Sequence, residues 1–263
     1  MTELYTDVRM DLRIDYAANR PAGKMDGVHY HDAYEIYVLE KGERNHLIDG
    51  TRISLAAREV ALIKPFALHT TDGSAYSRYV LYFKEAYLDR YFSPVGKAVL
   101  LSLFEEKKLT LTEEAYARTV ELLLALNGRH EDFLLLAEIL HLLLAARERL
   151  TECAEGDGSL IARITEYLRE SYLDFRGLDE LAARFFVTKF YLCRLFKRET
   201  GLSVVSYVNA QKIRRACEEL RYTRKSVKRI AADCGFSSSV YFCKLFREGL
   251  GTSPLEYRRM HQI

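Results

Sequence analysis

The chain between about residues 34 and 83 alternates short apolar runs with turn signals. The runs YEIYVLEKG, RNHLIDGTRISL, EVALIKP and SRYVLYF are rich in Val, Ile and Tyr, which favour β-strands. Lys41-Gly42, Asp49-Gly50 and Asp72-Gly73 lie between these runs, and an Asp-Gly pair in such a place is a strong hairpin signal. Several strands so closely spaced predict an antiparallel barrel or sandwich.

A helical period replaces this alternation after about Lys84. Thr112-Glu-Glu-Ala resembles an N-terminal cap and opens the segment EEAYARTVELLLALN, which EDFLLLAEILHLLLAARERL follows. The second segment carries an apolar stripe formed by Phe133, Leu136, Leu140, Leu143 and Leu144. A stripe this wide is typical of a helix packed on two sides. It predicts either a core helix or a helix that also contacts a partner subunit.

A polar segment then divides the chain. TECAEGDGS, residues 151–159, contains glycine and few apolar residues, so we place a domain boundary there. Everything after it has a helical pattern. We therefore predict an α+β protein of two domains: an antiparallel β-barrel domain with flanking helices over 1–150, a linker over 151–158, and an all-helical domain over 159–263.

The helical half contains an internal duplication. TKFYLCRLFKRETGLSVVSY (188–207) aligns without a gap on SSVYFCKLFREGLGTSPLEY (238–257), with seven identical positions. A repeat of this length marks a duplicated supersecondary unit. In each copy a short helix ends at a turn, and a hydroxyl residue (Thr188 or Ser238) caps a second helix with apolar residues at i, i+3 and i+4. This order predicts two helix-turn-helix units, whose second helices present their N-terminal residues to a DNA major groove.

The turns of the two copies differ in sequence. Gly235 supplies the positive φ that a tight turn favours, whereas Phe186 occupies the equivalent position in the first copy. A bulky residue is tolerated there if it avoids positive φ or packs well. We expect Phe186 to meet one of these conditions.

Charge is divided unevenly between the two halves. The net charge of +2 combines 20 basic and 11 acidic residues in 159–263 with 19 basic and 26 acidic residues in 1–158. A basic domain joined to an acidic one indicates a polyanion as the partner of the basic part. A basic cluster before the second unit is expected to contact phosphate, apart from members that are only solvated: Arg221, Arg224, Lys225, Lys228 and Arg229.

The sequence shows no signal for a membrane or for export. No apolar run reaches the length of about 18 residues that a transmembrane helix needs. The first residues, MTELYTDVRMDLRID, are acidic and polar, unlike a signal peptide. The five cysteines are odd in number and lack C-x-x-C spacing. We therefore expect reduced thiols in a cytoplasmic protein with no membrane partner.

The second helix-turn-helix unit resembles the signature of the AraC/XylS family of bacterial transcription regulators. The family pattern, roughly I-A-x3-G-F-x-S-x2-Y-F-x3-F-K/R-x3-G-x2-P-x2-Y-R, is met by Ile230, Ala231, Gly235, Phe236, Ser238, Tyr241, Phe242, Phe246, Arg247, Gly251, Pro254, Tyr257 and Arg258. The resemblance covers about 159–260 and implies two helix-turn-helix units joined by a long helix, LSVVSYVNAQKIRRACEELRY. It also implies that two recognition helices enter successive major grooves on one face of DNA.

Position along the second helices predicts the DNA-contacting residues. They are Lys189, Phe190, Cys193, Arg194 and Lys197 in unit one, and Ser239, Val240, Cys243, Lys244 and Arg247 in unit two. Arg194 suits bidentate contact with guanine, whereas Phe190, Val240 and the cysteines favour thymine methyl groups. Unit one is therefore predicted to provide most of the hydrogen-bonded readout. The alternative for the two cysteines is packing at the helix edge.

The segment HYHDAYEIYVLEKG resembles the first cupin motif, and Pro65-x3-His69 resembles the second, with Ala67 where the enzyme version has Gly. The resemblance implies a cupin-like barrel with a three-histidine, one-carboxylate set suited to a divalent metal, the arrangement that cupin enzymes use. That set is His29, His31, Glu35 and His69. The same segment also resembles the sensor domain of AraC-type regulators, whose barrel binds an effector, commonly a sugar.

Three interpretations of these polar residues stay open: metal binding, structural hydrogen bonding and effector contact. The candidate effector-contacting residues are His29, His31, Tyr34, Glu35, Tyr37 and His69. Tyrosines near the predicted barrel suit sugars or other amphipathic ligands, and equally an ordinary core. No cofactor is expected unless the metal interpretation holds.

Taken together, these features predict an effector-responsive transcription regulator that is not an enzyme. Its predicted partners are double-stranded DNA, a small-molecule effector such as a sugar, a second copy of the chain through the helices at about 112–150, and RNA polymerase if it activates transcription. The effector would act by shifting the population of domain arrangements. The alternatives are a metal-dependent cupin enzyme fused to a DNA-binding domain, and a constitutive DNA-binding protein whose barrel only dimerises.

Overall fold

The computed structural model describes residues 11–25, 27–127, 132–148 and 160–261. Within them a β-rich domain with flanking helices precedes an all-helical region, which confirms the predicted α+β architecture. The predicted linker 151–158 and Cys153 lie outside the described residues.

Two antiparallel sheets build the β-rich domain. The strands in the described residues are β1 (Leu12–Arg20), β2 (Gly23–Lys24), β3 (Tyr34–Lys41), β4 (Arg44–Ile48), β5 (Thr51–Leu55), β6 (Glu59–Ile63), β7 (His69–Gly73), β8 (Tyr76–Phe83) and β9 (Lys108–Thr110). One sheet has the strand order β1-β8-β3-β6-β9, and the other has the order β2-β7-β4-β5. The apolar runs of the sequence correspond to β3, β4 with β5, β6 and β8.

A two-residue turn joins β4 to β5 at one of the Asp-Gly pairs. Asp49 and Gly50 have φ of 47° and 80°, and two successive positive φ angles are the mark of a type I′ turn. Ile48 pairs with Thr51 across it. The turn sets the register of the hairpin, which leaves His46 on the buried side of β4.

Alternation along β3 divides its side chains between two cores. Ile36 and Val38 pack with the helices that flank the first sheet. Tyr37 and Leu39 form the barrel interior together with residues such as Ile48. The strand is therefore buried on both faces, which explains its nearly continuous apolar sequence.

The helices that flank the first sheet are α1 (Glu85–Asp89), α2 (Pro94–Leu101), α3 (Glu113–Asn127) and α4 (Phe133–Glu148). Along the predicted stripe of α4, Leu136, Leu140 and Leu143 are fully buried. Phe133 and Leu144 are partly buried against the same core. The apolar stripe of α4 therefore packs in the core of the barrel domain.

The all-helical region contains both copies of the duplicated unit. Its helices are α5 (Leu160–Ser171), α6 (Leu178–Arg184), α7 (Lys189–Thr200), α8 (Val204–Tyr222), α9 (Val227–Asp233), α10 (Ser239–Leu250) and α11 (Pro254–His261). Helices α6 and α7 form unit one, α9 and α10 form unit two, and the 19-residue α8 joins them. Within the described residues, no helix combines the length and the apolar character needed to cross a membrane.

The recognition helices α7 and α10 begin and end alike. Thr188 Oγ1 accepts a hydrogen bond from the Tyr191 amide at 3.2 Å, and Ser238 Oγ accepts one from the Tyr241 amide at 3.3 Å. These are the N-terminal caps that the sequence predicts. Both helices end at a glycine in the left-handed conformation, which closes the last turn: Gly201 and Gly251.

The turn of unit one contradicts the expectation for Phe186. Its φ is 55° and its side chain is 96% exposed, so it neither avoids the left-handed region nor packs. The equivalent Gly235 has φ of 75°, and both turns make the same hydrogen bond, to the carbonyl of Ala183 or of Ala232. The shared hydrogen bond keeps both turns in the left-handed conformation. For a residue with a Cβ, this conformation costs roughly 1–2 kcal/mol.

Candidate effector site and DNA-contacting surface

Four polar residues of the barrel domain meet in what we call the polar cluster: His29, His31, Glu35 and His69. His31 Nε2 lies 2.8 Å from a carboxylate oxygen of Glu35, and His69 Nε2 lies 3.4 Å from the same oxygen. The ring centroids of His29 and His69 are 4.1 Å apart. The structure thus brings together the residues of both cupin-like motifs.

Backbone carbonyls fix the ring orientation of two of these histidines. His31 Nδ1 donates to the Ala33 carbonyl at 3.0 Å, and His69 Nδ1 donates to the Ala67 carbonyl at 2.8 Å. Each Nε2 therefore faces Glu35. Many metal-ligating histidines are held in the same way, with Nδ1 bonded to a carbonyl and Nε2 left to face the metal. Three histidine nitrogens lie within 4.8 Å of one another. Together with the carboxylate they make a donor set that fits a first-row divalent cation.

The electrostatics of the polar cluster favour an anionic Glu35. Burial raises the pKa of its carboxyl, but the hydrogen bond with His31 and the nearby His69 outweigh burial and hold the pKa well below its usual range. Burial lowers the pKa of His69, and the Glu35 carboxylate 3.4 Å from its Nε2 more than reverses this effect. Burial and the neighbouring His69 lower the pKa of His29 to about 3, so His29 is neutral at pH 7.

Further polar groups line the barrel interior without a hydrogen-bond partner. The ring of His46 packs edge-on against Tyr37, with centroids 4.5 Å apart. Within the described residues, neither nitrogen of His46, nor the Tyr37 hydroxyl, nor Arg78 Nη1 has a partner. A buried polar group left unpaired costs about 1–3 kcal/mol. This lining therefore suits a polar ligand better than a closed apolar core.

Part of this lining was not predicted from the sequence, and one predicted effector-contacting residue lies elsewhere. His46 and Arg44 occupy alternate, buried positions of β4, and polar residues on the inward side of a strand are the signal that was available. Tyr34 is separated from the polar cluster because it lies on the other face of β3, stacked on Phe83 at 5.2 Å. Tyr34 thus belongs to the helix-facing core.

Residues 28–32 connect the polar cluster to the helical domain, and we call them the coupling segment. His29 forms a bridge with His69, and His31 contacts Glu35. The side chains that alternate with them face the helical domain instead. One short segment therefore contacts the candidate effector site on one side and the DNA-binding half on the other.

The first contacts of the coupling segment reach the C-terminal ends of both recognition helices. Val28 packs against Gly201, directly after α7, where an added Cβ would collide with it. Tyr30 packs in the same way against Gly249, in the last turn of α10. Both helices are therefore held at their C-terminal ends by residues two positions apart in the sequence.

The third contact is a buried polar network. Asp32 forms an ion pair with Arg221, near the end of α8, and accepts a hydrogen bond from the Tyr257 hydroxyl at 2.6 Å. The side chains of Asp32 and Arg221 are 3% and 6% exposed. The structure therefore corrects the predicted phosphate contact of Arg221, because this guanidinium is enclosed between the domains.

The rest of the basic cluster is partly neutralised. Lys225 pairs with Glu219 at 2.8 Å and with Asp233 at 3.1 Å, and Arg229 pairs with Asp233 at 2.9 Å. Arg224 and Lys228 are exposed. These two are the members best placed to meet a phosphate backbone.

The predicted contact residues of unit one are displayed on α7. Arg194 and Lys197 are exposed and form no ion pair with a described residue, and Phe190 is 86% exposed. Lys189 donates to Asp179 at 2.9 Å, an exposed contact that DNA can replace. Cys193 is half-buried at the helix edge.

Unit two presents a less polar surface on α10. Val240 is 79% exposed. Lys244 lies 3.8 Å from Glu248, and Arg247 is exposed. Ser239 is half-buried, and Cys243 packs partly against the domain core, in line with the helix-edge alternative.

Comparison with known proteins gives two matching family models. Residues 14–144 match the AraC-like ligand binding domain, and residues 181–260 match a helix-turn-helix domain. The chain is 27% identical over 245 residues to the HTH-type transcriptional activator RhaS of Escherichia coli (strain SMS-3-5 / SECEC), which covers 88% of this chain and 87% of that protein. RhaS of Escherichia coli O81 (strain ED1a) is 29% identical over the same coverage.

Solved structures of similar chains include ToxT from Vibrio cholerae O395, with a TM-score of 0.41 and 12% identity over 95% of this chain and 98% of that one. The DNA-binding domain of AdpA in complex with a target DNA covers 38% of this chain and 89% of its own length, with 29% identity and a TM-score of 0.36.

Proposed function

The chain belongs to the AraC family of transcription regulators, with a ligand-binding domain and a helix-turn-helix DNA-binding domain, and we propose that an effector bound in the barrel controls how both recognition helices are held. Its relatives are transcriptional activators, which confirms the prediction that it is a regulator and not an enzyme. The observation that carries the proposal is the coupling segment, which contacts the polar cluster and both helix-turn-helix units within five residues.

The proposed mechanism is a population shift. A ligand that contacts His29 and His31 constrains the same backbone from which Val28, Tyr30 and Asp32 reach the helical domain. In the docked arrangement the helical domain contacts the barrel, and in the released arrangement it does not. A ligand shifts the equilibrium between the two only by as much as its affinities for them differ. Differential contact with this segment supplies that difference.

The proposed organic effector is a small polar molecule such as a sugar. The unpaired groups of Tyr37 and His46 provide hydrogen-bonding sites, and their rings provide apolar faces against which a sugar ring packs. Thermal-shift screening of the full chain against a panel of sugars and metabolites tests this, because a ligand of the native state raises its melting temperature.

The variants Tyr37→Phe and His46→Leu sharpen that test. Each removes a polar group that has no described partner, so stability is expected to hold or rise while the ligand-induced shift is lost. Tyr34→Phe, on the other face of β3, is the matched control and is expected to respond like the wild type. A barrel that only dimerises gives no shift with any ligand, and then both variants only gain stability.

A divalent metal is the second candidate effector. It is favoured by the hydrogen bonds that fix His31 Nδ1 and His69 Nδ1 and leave each Nε2 facing Glu35. Elemental analysis of the purified chain is the test. Near-stoichiometric iron, zinc or manganese that is lost in His69→Gln identifies a metal-responsive barrel, and metal-free protein with a full ligand response excludes one.

DNA contact is proposed through the exposed residues of α7 and α10, with Arg194 as the main base-contacting residue of unit one. The exposed basic residues around the units predict steep salt dependence of affinity. Affinity that stays flat from low to high salt contradicts this surface. A regulator of this family meets its DNA in the cytoplasm, so we propose that location.

Dimerisation is proposed through the outer side of α3 and α4. Leu124 and Leu134 are 56% and 65% exposed there, although the apolar stripe of α4 serves the core. A dimer would bring four helix-turn-helix units to paired DNA sites, and contact with RNA polymerase is proposed if the protein activates transcription. Analytical ultracentrifugation of the wild type and of Leu124→Glu measures whether this face associates.

A further inference from the structure

Two arginines lie at one end of the barrel interior. Arg44 is an inward residue of β4, and Arg78 lies on β8 between Tyr76 and Val80, which both pack in the barrel interior. The guanidinium of Arg44 lies over the ring of Tyr76, 4.2 Å from its centroid. The guanidinium of Arg78 lies 5.4 Å from the ring centroid of Tyr37. Each cation therefore borders the ring of a barrel tyrosine.

The polar cluster lies at the other end of the same interior. Arg78 of β8 pairs with Leu39 of β3, and Glu35 lies four residues before Leu39. The residue of β7 that pairs with Arg44 likewise lies four residues from His69. Four residues of β-strand span about 13 Å. Both sheets therefore separate the arginines from the anionic carboxylate of the polar cluster.

Neither arginine forms an ion pair with a carboxylate of the described residues. Arg44 is 3% exposed, and its guanidinium donates to the Thr71 hydroxyl at 3.2 Å and to the Gly23 carbonyl at 3.0 Å, which are both uncharged. Arg78 Nη1 is buried and donates to no described group. Buried charges in proteins are paired as a rule, because an unpaired one costs much solvation free energy. This end of the barrel therefore carries positive charge that has no local counterion.

Uncharged groups that can bind hydroxyls lie between the two ends. Burial lowers the pKa of His46 to about 3, so its ring is neutral at pH 7 and offers one donor and one acceptor. The Tyr37 hydroxyl is both a donor and an acceptor. Neither side chain has a hydrogen-bond partner among the described residues. A ligand that pairs with these groups and with the arginine end needs several hydroxyls and one negative charge.

We propose that the organic effector of the barrel is an acidic sugar, with its carboxylate on Arg78 and its hydroxyl groups on Tyr37 and His46. This inference rests on the proposed function, since it names the chemical class of the ligand that the barrel binds. A hydrogen bond between a guanidinium and a carboxylate is about twice as strong as a neutral one. The barrel therefore selects the acid over the neutral sugar of the same shape.

Isothermal titration calorimetry of the full chain tests this selection with two matched pairs: glucuronate with glucose, and galacturonate with galactose. We expect at least one acid to bind roughly tenfold or more tightly than its neutral partner. Arg78→Gln is expected to weaken binding of the acid about 10- to 100-fold and to remove the preference, because it removes the charge and keeps a polar side chain. Arg52→Gln, on the exposed side of β5, is the matched control and keeps the preference.

Arg78→Lys separates loss of charge from loss of folding. It keeps the charge and is expected to recover part of the affinity for the acid, and circular dichroism confirms that every variant is folded. Equal affinity for acid and neutral sugar, or acid binding that survives Arg78→Gln, overturns the inference of an acidic sugar. Absence of binding by either pair at millimolar concentration also overturns it. The barrel proposal survives each of these results if any ligand found by the thermal-shift screen loses its effect in Tyr37→Phe.

Discussion

The two helix-turn-helix units are built alike but are held to the barrel domain in different ways. Unit one docks through small contacts: Gly50, at the tip of the β4–β5 hairpin, packs against Thr200 and against Thr165 of the preceding α5, and Val28 packs against Gly201. Unit two has a matching contact, in which Tyr30 packs against Gly249, and it also lies beside a buried ion pair and hydrogen bond, in which Asp32 meets α8 and α11. Both units are thus anchored by shape, and a buried charged network is added only beside unit two.

This difference indicates how the docked state opens. Apolar contacts are non-directional and tolerate small shifts, whereas a buried charge without its partner is strongly unfavourable. We therefore expect the polar network beside unit two to open as one discrete step if the helical domain separates from the barrel. We expect unit one, which carries Arg194, to adjust to DNA after that step.

The largest expected effect comes from breaking the polar network. Asp32→Ala leaves Arg221 buried and unpaired, and we expect it to destabilise the docked chain by about 3–5 kcal/mol. Thr165→Ala, at the hairpin contact with α5 beside unit one, is expected to cost only about 1 kcal/mol. Urea unfolding of both variants, followed by far-UV circular dichroism, measures the two values. Equal costs would remove the distinction between the two anchors.

The next effect concerns DNA. Arg194→Ala is expected to weaken operator binding by roughly 1–3 kcal/mol, concentrated at one base pair, because a bidentate guanine contact is lost. Lys244→Ala, at the equivalent position of unit two, is expected to have a smaller effect that is similar for all sequences. Fluorescence anisotropy with a selected operator and its single-base variants resolves the two patterns. A uniform loss for Arg194→Ala shows contact with phosphate only.

The smallest effect concerns the turns. Phe186→Gly is expected to stabilise the protein by up to about 1 kcal/mol by relieving the left-handed strain, less the entropy that glycine gains in the unfolded chain. Gly235→Ala is expected to destabilise it by about the same amount, through strain at the matching position. Melting temperatures of the two variants test this sign reversal. If Phe186→Gly keeps its stability but loses affinity for DNA, the exposed ring contacts DNA.

The sequence was sufficient where the signal is local. The caps Thr188 and Ser238, the hairpin at Asp49-Gly50 and the two helix-turn-helix units follow from short patterns, and the structure contains all of them. The polar cluster was also identified, because its histidines lie in two recognisable motifs. Phe186 was misjudged since the hydrogen bonds of the turn outweigh the preference of a single residue.

Contacts between residues far apart in the chain could not be predicted from the sequence. Arg221 lies 189 residues from Asp32, and nothing near either residue indicates that they pair. The basic residues of the helical half were attributed to DNA contact or to solvated surface, although Arg163 and Arg214 line a cleft between the barrel domain and the helical domain. Net charge shows how many cations a domain has, and only the packing of the domains shows which way each of them faces.

The alternation along the coupling segment has a consequence for engineering. Its odd positions, 29 and 31, face the polar cluster, while its even positions, 28, 30 and 32, contact the helical domain. A chimaera that takes a foreign barrel will therefore respond to the new ligand only if the even positions keep Val, Tyr and Asp. To retarget a biosensor built on this scaffold, a designer would change positions 29 and 31 of this segment and keep positions 28, 30 and 32.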